Sequence, residues 1–600
     1  MPQGLKVSRP WLALTLVLFC LPLFFGLRSL DLETDEAIYS FAVDRILEDG
    51  EWLQPKSSPS ETAVFLEKPP LKFWIVAAPI RAGLLPHDEF GLRFWDALLG
   101  AIAFAYVFAI GCRMAGPVCG GIAVMVLFAH WPLLFEHGVR GNNMEAALFL
   151  SYCGGVYHFL EWGGVRKTHR TRHAMATGLY FTLGFLTKFV AAIFLPAALG
   201  LSALLVRPVR ERLWHDRWRW LGVGALVLAL IAPWFIYAQV EFGSLVWHTM
   251  LAEHVYARFT TGLNPEHVHP WYYYFETMWT FLSLEGVQWL VPAGVALLAV
   301  QTIRRRWFEG TVVLVWGFLP LALISGGSSK LYHYAYPFLP PFALAVGYMF
   351  ALVMMLAPGL VSRAAERVED WLARAAPRWR AAFDAVWAQR VLVTLMAIGT
   401  LLAVWGLLFG QLRLQFGPLL FKSSGILRPL ALVLLVAILG RRSRRIKTIV
   451  VAIVLASALP IDAYKSTFAR LGEQKHPLRD VVECITRVEQ QVAPGAQPGL
   501  YVDTDSSMWH PILYYFRRIQ PWTRQTEPSA ERLLETLNNP AAVKPSLVQE
   551  LRYRDYLSGP QGEHFRQGGT PPMVGLLEYA LLLPGPYRAC SAESSLRASN

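Results

Sequence analysis

The chain has 600 residues, 54% of them hydrophobic and 16% charged, with a formal net charge of +12. Soluble domains carry roughly 45–50% apolar and about 25% charged residues, so an ordinary soluble globular chain is excluded. The cations sit in short connectors between apolar runs, which excludes a nucleic-acid partner as the meaning of the charge. The first apolar run is Trp11 to Leu27. It reads as an uncleaved span, because Gly26-Leu27-Arg28 leads into charge without a small-x-small cleavage site.

A long loop follows, over about residues 28–88. Ile38, Phe41, Ala42 and Ile46 recur at helical spacing, and Thr34 stands as a cap ahead of Asp35 and Glu36. Leu71 to Ile80 is apolar and aromatic, starts behind Pro69-Pro70, and is too short to span. Both segments predict interfacial helices lying on the membrane. Spans then alternate with tight connectors as far as Leu356, Gly222 to Tyr237 among them. Two further loops interrupt them, Glu241 to Trp271 and Ser325 to Tyr336. Val361 to Arg390 is basic and helical in pattern, broken at Pro377, and three more spans follow, including Val391 to Gly410 and Thr448 to Asp462. The hydropathy pattern predicts about thirteen spans in all.

Basic clusters mark the cytoplasmic side. They are Arg166 to Arg172, Arg207 to Arg219, Arg304 to Arg306 and Arg441 to Lys447. With Lys6, Arg9 and the N-terminus inside, thirteen crossings put every cluster inside and the tail outside. The chain thus divides into a membrane part, 1–464, and an outward part, 465–600. The tail has ordinary polarity, a helical stretch from Leu478 to Gln490, and strand candidates at Gly499 to Asp503 and Val574 to Leu583. It predicts a small α/β domain. Of six cysteines, Cys20, Cys112, Cys119 and Cys153 lie in or near spans. Cys484 and Cys590 share the outward tail, where a disulfide is chemically allowed but sequence leaves the pairing open.

Charged residues inside a membrane protein are expensive and point to function. Here they gather on the predicted outer side: Asp35, Glu36, Glu67, Lys68, Arg93, Arg140, Glu145, Lys188, Glu253, His254, Arg258, His267 and Lys330. Carboxylates with a surplus of cations suit an anionic leaving group and a carboxylate that activates or steadies the attacking group. Each piece has a plainer reading. Asp35 and Glu36 also suit a helix N-terminus. Lys68 also suits the head-group level. Arg140 with Glu145 also suits a solvated cap pair, Lys188 a separator of spans, and Tyr332 to Tyr336 an aromatic belt.

In order, Thr34 to Tyr39, Glu67-Lys68-Pro69-Pro70, Arg93, Arg140 with Glu145, and Gly184 to Lys188 make one series. Glu253-His254 with Arg258-Phe259, His267 to Tyr274, and Ser329-Lys330-Leu331 with Tyr334 and Pro337 continue it. The series resembles the aminoarabinose transferase (ArnT) and protein O-mannosyltransferase superfamily of GT-C glycosyltransferases. The resemblance covers about Trp11 to Phe350, and more loosely the later spans and the tail, where Tyr514 to Arg518 resembles a segment of bacterial ArnT-like tails. It implies an α-helical polytopic GT-C fold in a bacterial inner membrane. It implies inverting transfer from a polyprenyl-phosphate sugar, undecaprenyl-phosphate in bacteria, to a glycolipid, glycan or protein on the periplasmic face. Asp35 is implied as the principal catalytic carboxylate, with Glu36 and Glu145 beside it. Lys68, Arg93, Arg140, Lys188, Arg258, Lys330 and Tyr334 are implied to bind the donor's phosphate and sugar. Glu67 and His267 match positions that hold a divalent metal ion. One departure is Glu145, where the family usually has Asp.

Two rivals differ in class. A secondary transporter would carry its charges near the midplane and often in repeated halves, and neither pattern is present. A non-catalytic envelope assembly protein would not need the Asp35, Lys68 and Lys330 set.

Overall fold

The computed structural model describes residues 20–57, 64–164, 169–261, 265–284, 287–375, 385–409, 412–416, 419–423, 469–471, 477–492, 499–503, 510–519, 522–524, 528–538, 544–567, 573–576 and 579–591, with a few single positions between them. Most of the expected first span, the run Thr448 to Asp462, the cluster Arg441 to Lys447 and part of the cluster Arg166 to Arg172 lie outside the described residues.

Helices dominate. In chain order they are α1 (Thr34–Asp49), α2 (Leu71–Arg81), α3 (Glu89–Ala115), α4 (Pro117–Ala129), α5 (Glu145–Gly163), α6 (Arg170–Lys188), α7 (Phe194–Leu205), α8 (Arg207–His215) and α9 (Arg217–Phe242). Then come α10 (Tyr273–Leu284), α11 (Leu290–Arg305), α12 (Phe308–Ser325), α13 (Pro340–Ala375) and α14 (Val386–Phe409). A hairpin, β1 (Leu412–Phe416) with β2 (Leu419–Ser423), precedes the tail.

The protein is a multi-pass membrane protein. Among the described residues, α3, α6 continued to Ala192, α9 and α12 are each long and apolar enough to cross a bilayer. A 3-10 helix, Tyr332–Phe338, joins Pro340–Leu356 at a 49° bend to make one more candidate. The expected thirteen spans are not all met by single helices. The helices α4 and α7 are apolar but short, and two of the later runs lie partly or wholly outside the described residues.

The chain separates into two compact units. The first holds residues 1–23, 99–139 and 145–468. Its helices pack as α5 with α6, α4 with α13, α11 with α13, α7 with α12 and α6 with α9. Small residues permit this closeness, as membrane helices require. A Cβ at Gly154 of α5 would lie 2.6 Å from the Tyr180 ring of α6, and one at Gly347 of α13 would lie 2.2 Å from the Cys119 carbonyl of α4.

The second unit holds residues 24–98, 140–144 and 469–600. Its tail elements are α15 (Pro477–Val492), β3 (Leu500–Asp503), α16 (His510–Phe516), β4 (Trp522–Arg524), α17 (Ala530–Asn538), β5 (Ser546–Gln549), α18 (Glu550–Ser558), β6 (Met573–Leu576) and β7 (Tyr579–Leu582). The strands form one mixed sheet in the order β4-β3-β5-β7-β6, parallel from β4 to β5 and antiparallel beyond. The single strand expected from Val574 to Leu583 is in fact a hairpin. No Gly, Pro or Asn marks its turn, so the sequence read straight through it.

Helix α1 starts at a capping box. Glu33, not Thr34, is the extended cap residue, and the Glu33 N–H donates to the Glu36 carboxylate at 2.9 Å. Gly50 ends the helix at φ 72°, its N–H donating to the Ile46 carbonyl. The apolar sides of α1 and α2 were expected to rest on lipid. They are buried in protein instead. Phe41, Val43 and Ile46 of α1 and Phe73 and Val76 of α2 share one core with Val481, Ile485, Leu500, Val502, Ile512 and Tyr514. Each such side chain contributes roughly 1.5–3 kcal/mol by burial.

Polar contacts tie the same pieces together. The Asp31 carboxylate accepts the Leu478 N–H at 2.8 Å at the start of α15. The Tyr515 hydroxyl donates to Glu89 at 2.9 Å and accepts the Leu32 N–H at 3.0 Å. Arg517 pairs with the fully buried Asp44 of α1, and its guanidinium lies 4.9 Å from the Tyr514 ring centre. The segment from Tyr514 to Arg518 is therefore a clamp between the first loop and the tail. Cys484 of α15 and Cys590 form a disulfide. Peptide mass spectrometry without reductant should recover this crosslink, and Cys484→Ser should cost about 2–5 kcal/mol of stability, read as a lower unfolding midpoint.

Candidate active site

The predicted site residues fall into two sets. Asp35, Glu36, Glu67, Lys68, Arg93 and Arg140 belong to the unit that contains the tail. Glu145, Lys188, Arg258, His267, Lys330 and Tyr334 belong to the unit of packed spans.

In the first set, Glu36 is the organiser. It is 2% exposed, and both carboxylate oxygens are occupied. Arg93 of α3 donates to Oε1 at 2.8 Å and to Oε2 at 2.6 Å. The Asn142 N–H donates to Oε1 at 2.8 Å. The same guanidinium donates to the carbonyls of Leu27, Leu30 and Asp31 at 2.8–2.9 Å. Burial alone would push the Glu36 carboxyl up. The charge and hydrogen bonds of Arg93, with the Glu33 and Asn142 N–H groups, outweigh it and hold the group below the usual carboxylate range. The turn at 140–144 packs so tightly on Glu36 that a Cβ at Gly141 would lie 2.9 Å from Oε1. Arg140, also buried, donates to the Phe25 carbonyl. Burial, and then the nearby Arg93 charge, disfavour its cationic form. Asp35 lies beside Glu36 in the first turn of α1, half-buried. Glu67 and Lys68 are paired at 3.7 Å just ahead of α2.

Sequence reasoning missed a second buried pair in this unit. Lys72 of α2 is 1% exposed and lies 2.7 Å from Asp96 of α3, which is fully buried. Lys72 also donates to the Asn142 side-chain oxygen at 2.8 Å, and the Asn142 amide donates to Ser40 at 3.0 Å. The turn carrying Arg140 is thus held from both sides, by Glu36 on its backbone and by Lys72 and Ser40 on Asn142. A lone cation in an apolar helix and a lone acid three residues past Arg93 were the available signals.

In the second set, a short backbone ladder gathers the cations. Val268 bridges Ser329, the Lys330 N–H donates to the His267 carbonyl at 2.7 Å, and the Ser329 N–H donates to the Arg258 carbonyl at 2.9 Å. Arg258 follows a π-helix, His248–Ala257, and donates to the Tyr334 hydroxyl at 2.6 Å. The Lys330 ammonium donates to the carbonyls of His269, at 2.7 Å, and Gly327. Burial pulls its pKa down. Glu253 lies on the same π-helix, half-exposed, with His248 at 3.2 Å.

Lys188 and Glu145 form an ion pair, with the Lys188 ammonium 5.2 Å from the centre of the Tyr334 ring. Lys188 is the last residue of α6, which breaks at Phe189 with φ 46°. The plainer reading of Lys188 as a separator is therefore half right: the helix does break there, and the break presents the ammonium to Glu145. His333 stands 3.6 Å from the same carboxylate and stacks on His137 with ring centres 4.5 Å apart. Among the described residues, no group of three or more His, Cys, Asp or Glu side chains gathers to hold a metal ion.

Two outcomes test the buried pairs. Lys72→Met should cost about 3–5 kcal/mol, because it strands the Asp96 charge, and adding Asp96→Leu should recover most of that loss. Thermal unfolding of the purified protein in detergent reads both. Glu36→Gln should flatten the acid limb of stability. The wild-type contribution is complete above the ordinary carboxylate pKa of about 4.3 and is lost as pH falls through the lower folded value.

A family described as dolichyl-phosphate-mannose-protein mannosyltransferase matches residues 67–237. The chain is 27% identical over 358 residues to undecaprenyl phosphate-alpha-4-amino-4-deoxy-L-arabinose arabinosyl transferase 1 of Pseudomonas fluorescens, covering 57% of this chain and 60% of that protein. It is 26% identical over 343 residues to the protein of the same name from Sodalis glossinidius, covering 56% and 58%. The matches thus span 58–60% of the length of these relatives. Two crystal structures of ArnT from Cupriavidus metallidurans share the fold. The apo state has a TM-score of 0.56 at 15% identity, covering 97% of this chain and 99% of that one. The state bound to undecaprenyl phosphate has a TM-score of 0.55 at 16% identity, covering 96% and 98%. Family match, sequence similarity and shared fold point the same way: the chain is similar to the undecaprenyl phosphate aminoarabinose transferases and has the fold of ArnT.

Proposed function

We propose that this protein is an inverting glycosyltransferase. It moves a sugar from a polyprenyl-phosphate donor to an envelope acceptor such as lipid A, another glycan or a protein. The observation that carries the reading is the backbone ladder that gathers Arg258 and Lys330, with Arg258 on the Tyr334 hydroxyl and Lys330 held by carbonyl oxygens. Such an arrangement suits an incoming phosphate. The relatives named above as undecaprenyl phosphate-dependent arabinosyl transferases support it.

The reaction breaks the bond between the anomeric carbon and the donor phosphate oxygen. The electron pair leaves on polyprenyl phosphate, and the acceptor oxygen forms the new bond from the opposite face. A lipid-linked phosphate is already a fair leaving group. The protein's work is to align the reactants and to neutralise the departing charge. Arg258 and Lys330 take the phosphate, and Tyr334 adds a hydroxyl beside Arg258; Lys68 keeps the donor-binding role that the resemblance implies. Asp35 receives the proton when the acceptor is a hydroxyl, and orients the acceptor when it is already a phosphate. Glu36, Arg93 and Arg140 hold the loop that carries Asp35. Glu145 is a further carboxylate of the reaction, and Lys188, its ion-pair partner, helps bind the donor.

Glu67 and His267 keep the metal-holding role that the resemblance implies, with water or substrate supplying further ligands. The bacterial inner membrane belongs to the same reading, as do thirteen crossings with the N-terminus in the cytoplasm. So do a membrane part over 1–464 and a periplasmic α/β part over 465–600. The Cys484–Cys590 disulfide suits the oxidising side.

Asp35→Asn should lower transfer from a polyprenyl-phosphate sugar by about 100- to 10,000-fold while membrane insertion is unchanged. Lys68→Ala should be similarly impaired. Undiminished transfer in Asp35→Asn would take the catalytic role from Asp35, and no transfer by the unaltered protein would favour an assembly scaffold. Glu145→Asp should keep most activity, since Lys188 is flexible enough to follow a carboxylate one methylene shorter. Mass spectrometry of envelope lipids and proteins from a deletion strain identifies the acceptor.

A further inference from the structure

The unit of packed spans carries a second feature, distinct from its charged cluster. A cavity of about 310 Å³ lies among α5, α6, α7, α8 and α9. Phe159, Phe181, Leu195, Leu199, Leu213 and Trp220 give it an apolar lining. Gly200 and Gly224 also line it, and a Cβ at either would meet nothing within 4 Å. A side chain can therefore be started at either position without a clash at its Cβ.

The end of this cavity near α8 is basic and aromatic. Leu213 and Trp220 line the cavity, and between them in the chain stand Trp214 and Trp218, 73% and 72% exposed. The Arg217 guanidinium lies 5.4 and 5.6 Å from the centres of those two rings. Arg207, Arg210 and Arg217 are exposed. The local acids do not balance them. Asp216 is buried and taken by Arg219 at 2.6 Å and Trp162 at 3.0 Å. Glu211 pairs with Arg207 at 2.8 Å. Arg210 and Arg217 each donate to a carbonyl, of Leu204 and Trp214, at 3.0 Å. An arginine has five N–H donors, so each keeps capacity for a phosphate.

Exposed tryptophans with arginines are the chemistry of the head-group level. An apolar cavity reached from that level takes a hydrocarbon chain. A free phosphate would leave the cavity without purpose, and a neutral lipid would leave the arginines without one. We propose that this corner is a binding site for an anionic glycerophospholipid, with its phosphate on Arg210 and Arg217 and one acyl chain in the cavity. The proposal does not depend on the transferase reading.

Native mass spectrometry of the full-length protein tests it. The protein is offered phosphatidylglycerol, phosphatidylcholine and undecaprenyl phosphate in equal amounts. Phosphatidylglycerol should be retained at least fivefold over phosphatidylcholine. Arg210→Gln with Arg217→Gln should remove that preference. Gly224→Leu, or Gly200→Leu, should cut phosphatidylglycerol retention severalfold with both arginines present and the unfolding midpoint unchanged. If one glycine variant lowers the midpoint, the other and the arginine pair still decide. Equal retention of the two glycerophospholipids, or retention untouched by the variants, would mean bulk lipid only and overturn the proposal. Undecaprenyl phosphate outcompeting phosphatidylglycerol, with the same dependence on Arg210 and Arg217, would overturn it in favour of a prenyl lipid.

Discussion

The bidentate pair between Glu36 and Arg93 is the constraint on which its compact unit depends. Removing Glu36 would strand the guanidinium among three carbonyls, and removing Arg93 would strand the carboxylate beside two N–H groups. Through Arg93 the pair fixes the chain at Leu27, Leu30 and Asp31. Through Glu36 it fixes the first turn of α1, where Asp35 sits, and the turn at 140–144. Within that first turn Glu36 takes the structural burden, and Asp35 is carried by the same helix. Lys72, Asp96 and Asn142 repeat the same logic on the other side of the turn.

The span unit solves a different problem. A cation cannot be left bare in a partly buried place. Lys330 is satisfied by carbonyl dipoles, which leave its net charge. Arg258 has a phenol in the same role. Lys188 is the contrast, since Glu145 already balances it. The two kinds of cation therefore differ in their charge. The first kind keeps its net charge, and the second has it balanced by a carboxylate.

Much of this was legible in the chain. Helix α1 was readable from Ile38, Phe41 and Ile46, and α2 from its proline start, because local periodicity survives whatever the face packs against. What that face meets was not readable. The same apolar stripe suits lipid or protein, and only residues more than four hundred positions later, such as Ile512 and Tyr514, decide between them. Glu33 was overlooked as a cap because the reciprocal bond to Glu36 needs a backbone geometry that Thr34 also mimics in sequence. The charged residues stood out against an apolar background, which is why Arg93 and Lys330 were found. Lys72 was hidden by its position inside a helix taken as apolar. The hairpin β6–β7 lacked turn residues, and the disulfide was a matter of three-dimensional distance.

The shared core of the first loop and the tail has a consequence for how the molecule is made. Leu32 meets Tyr515 across 483 positions, and Arg479 meets Glu89 across 390. Those partners leave the ribosome last. Throughout synthesis, the loop bearing Asp35 must wait on its side of the bilayer as an unfinished half, with Phe41 and Phe73 uncovered. Contacts this remote in sequence form slowly, since a long loop must close before any of them is rewarded. The loop bearing Asp35 gains its core only once the tail residues that pack on it have been made, so a polypeptide that stops before Leu478 lacks that core.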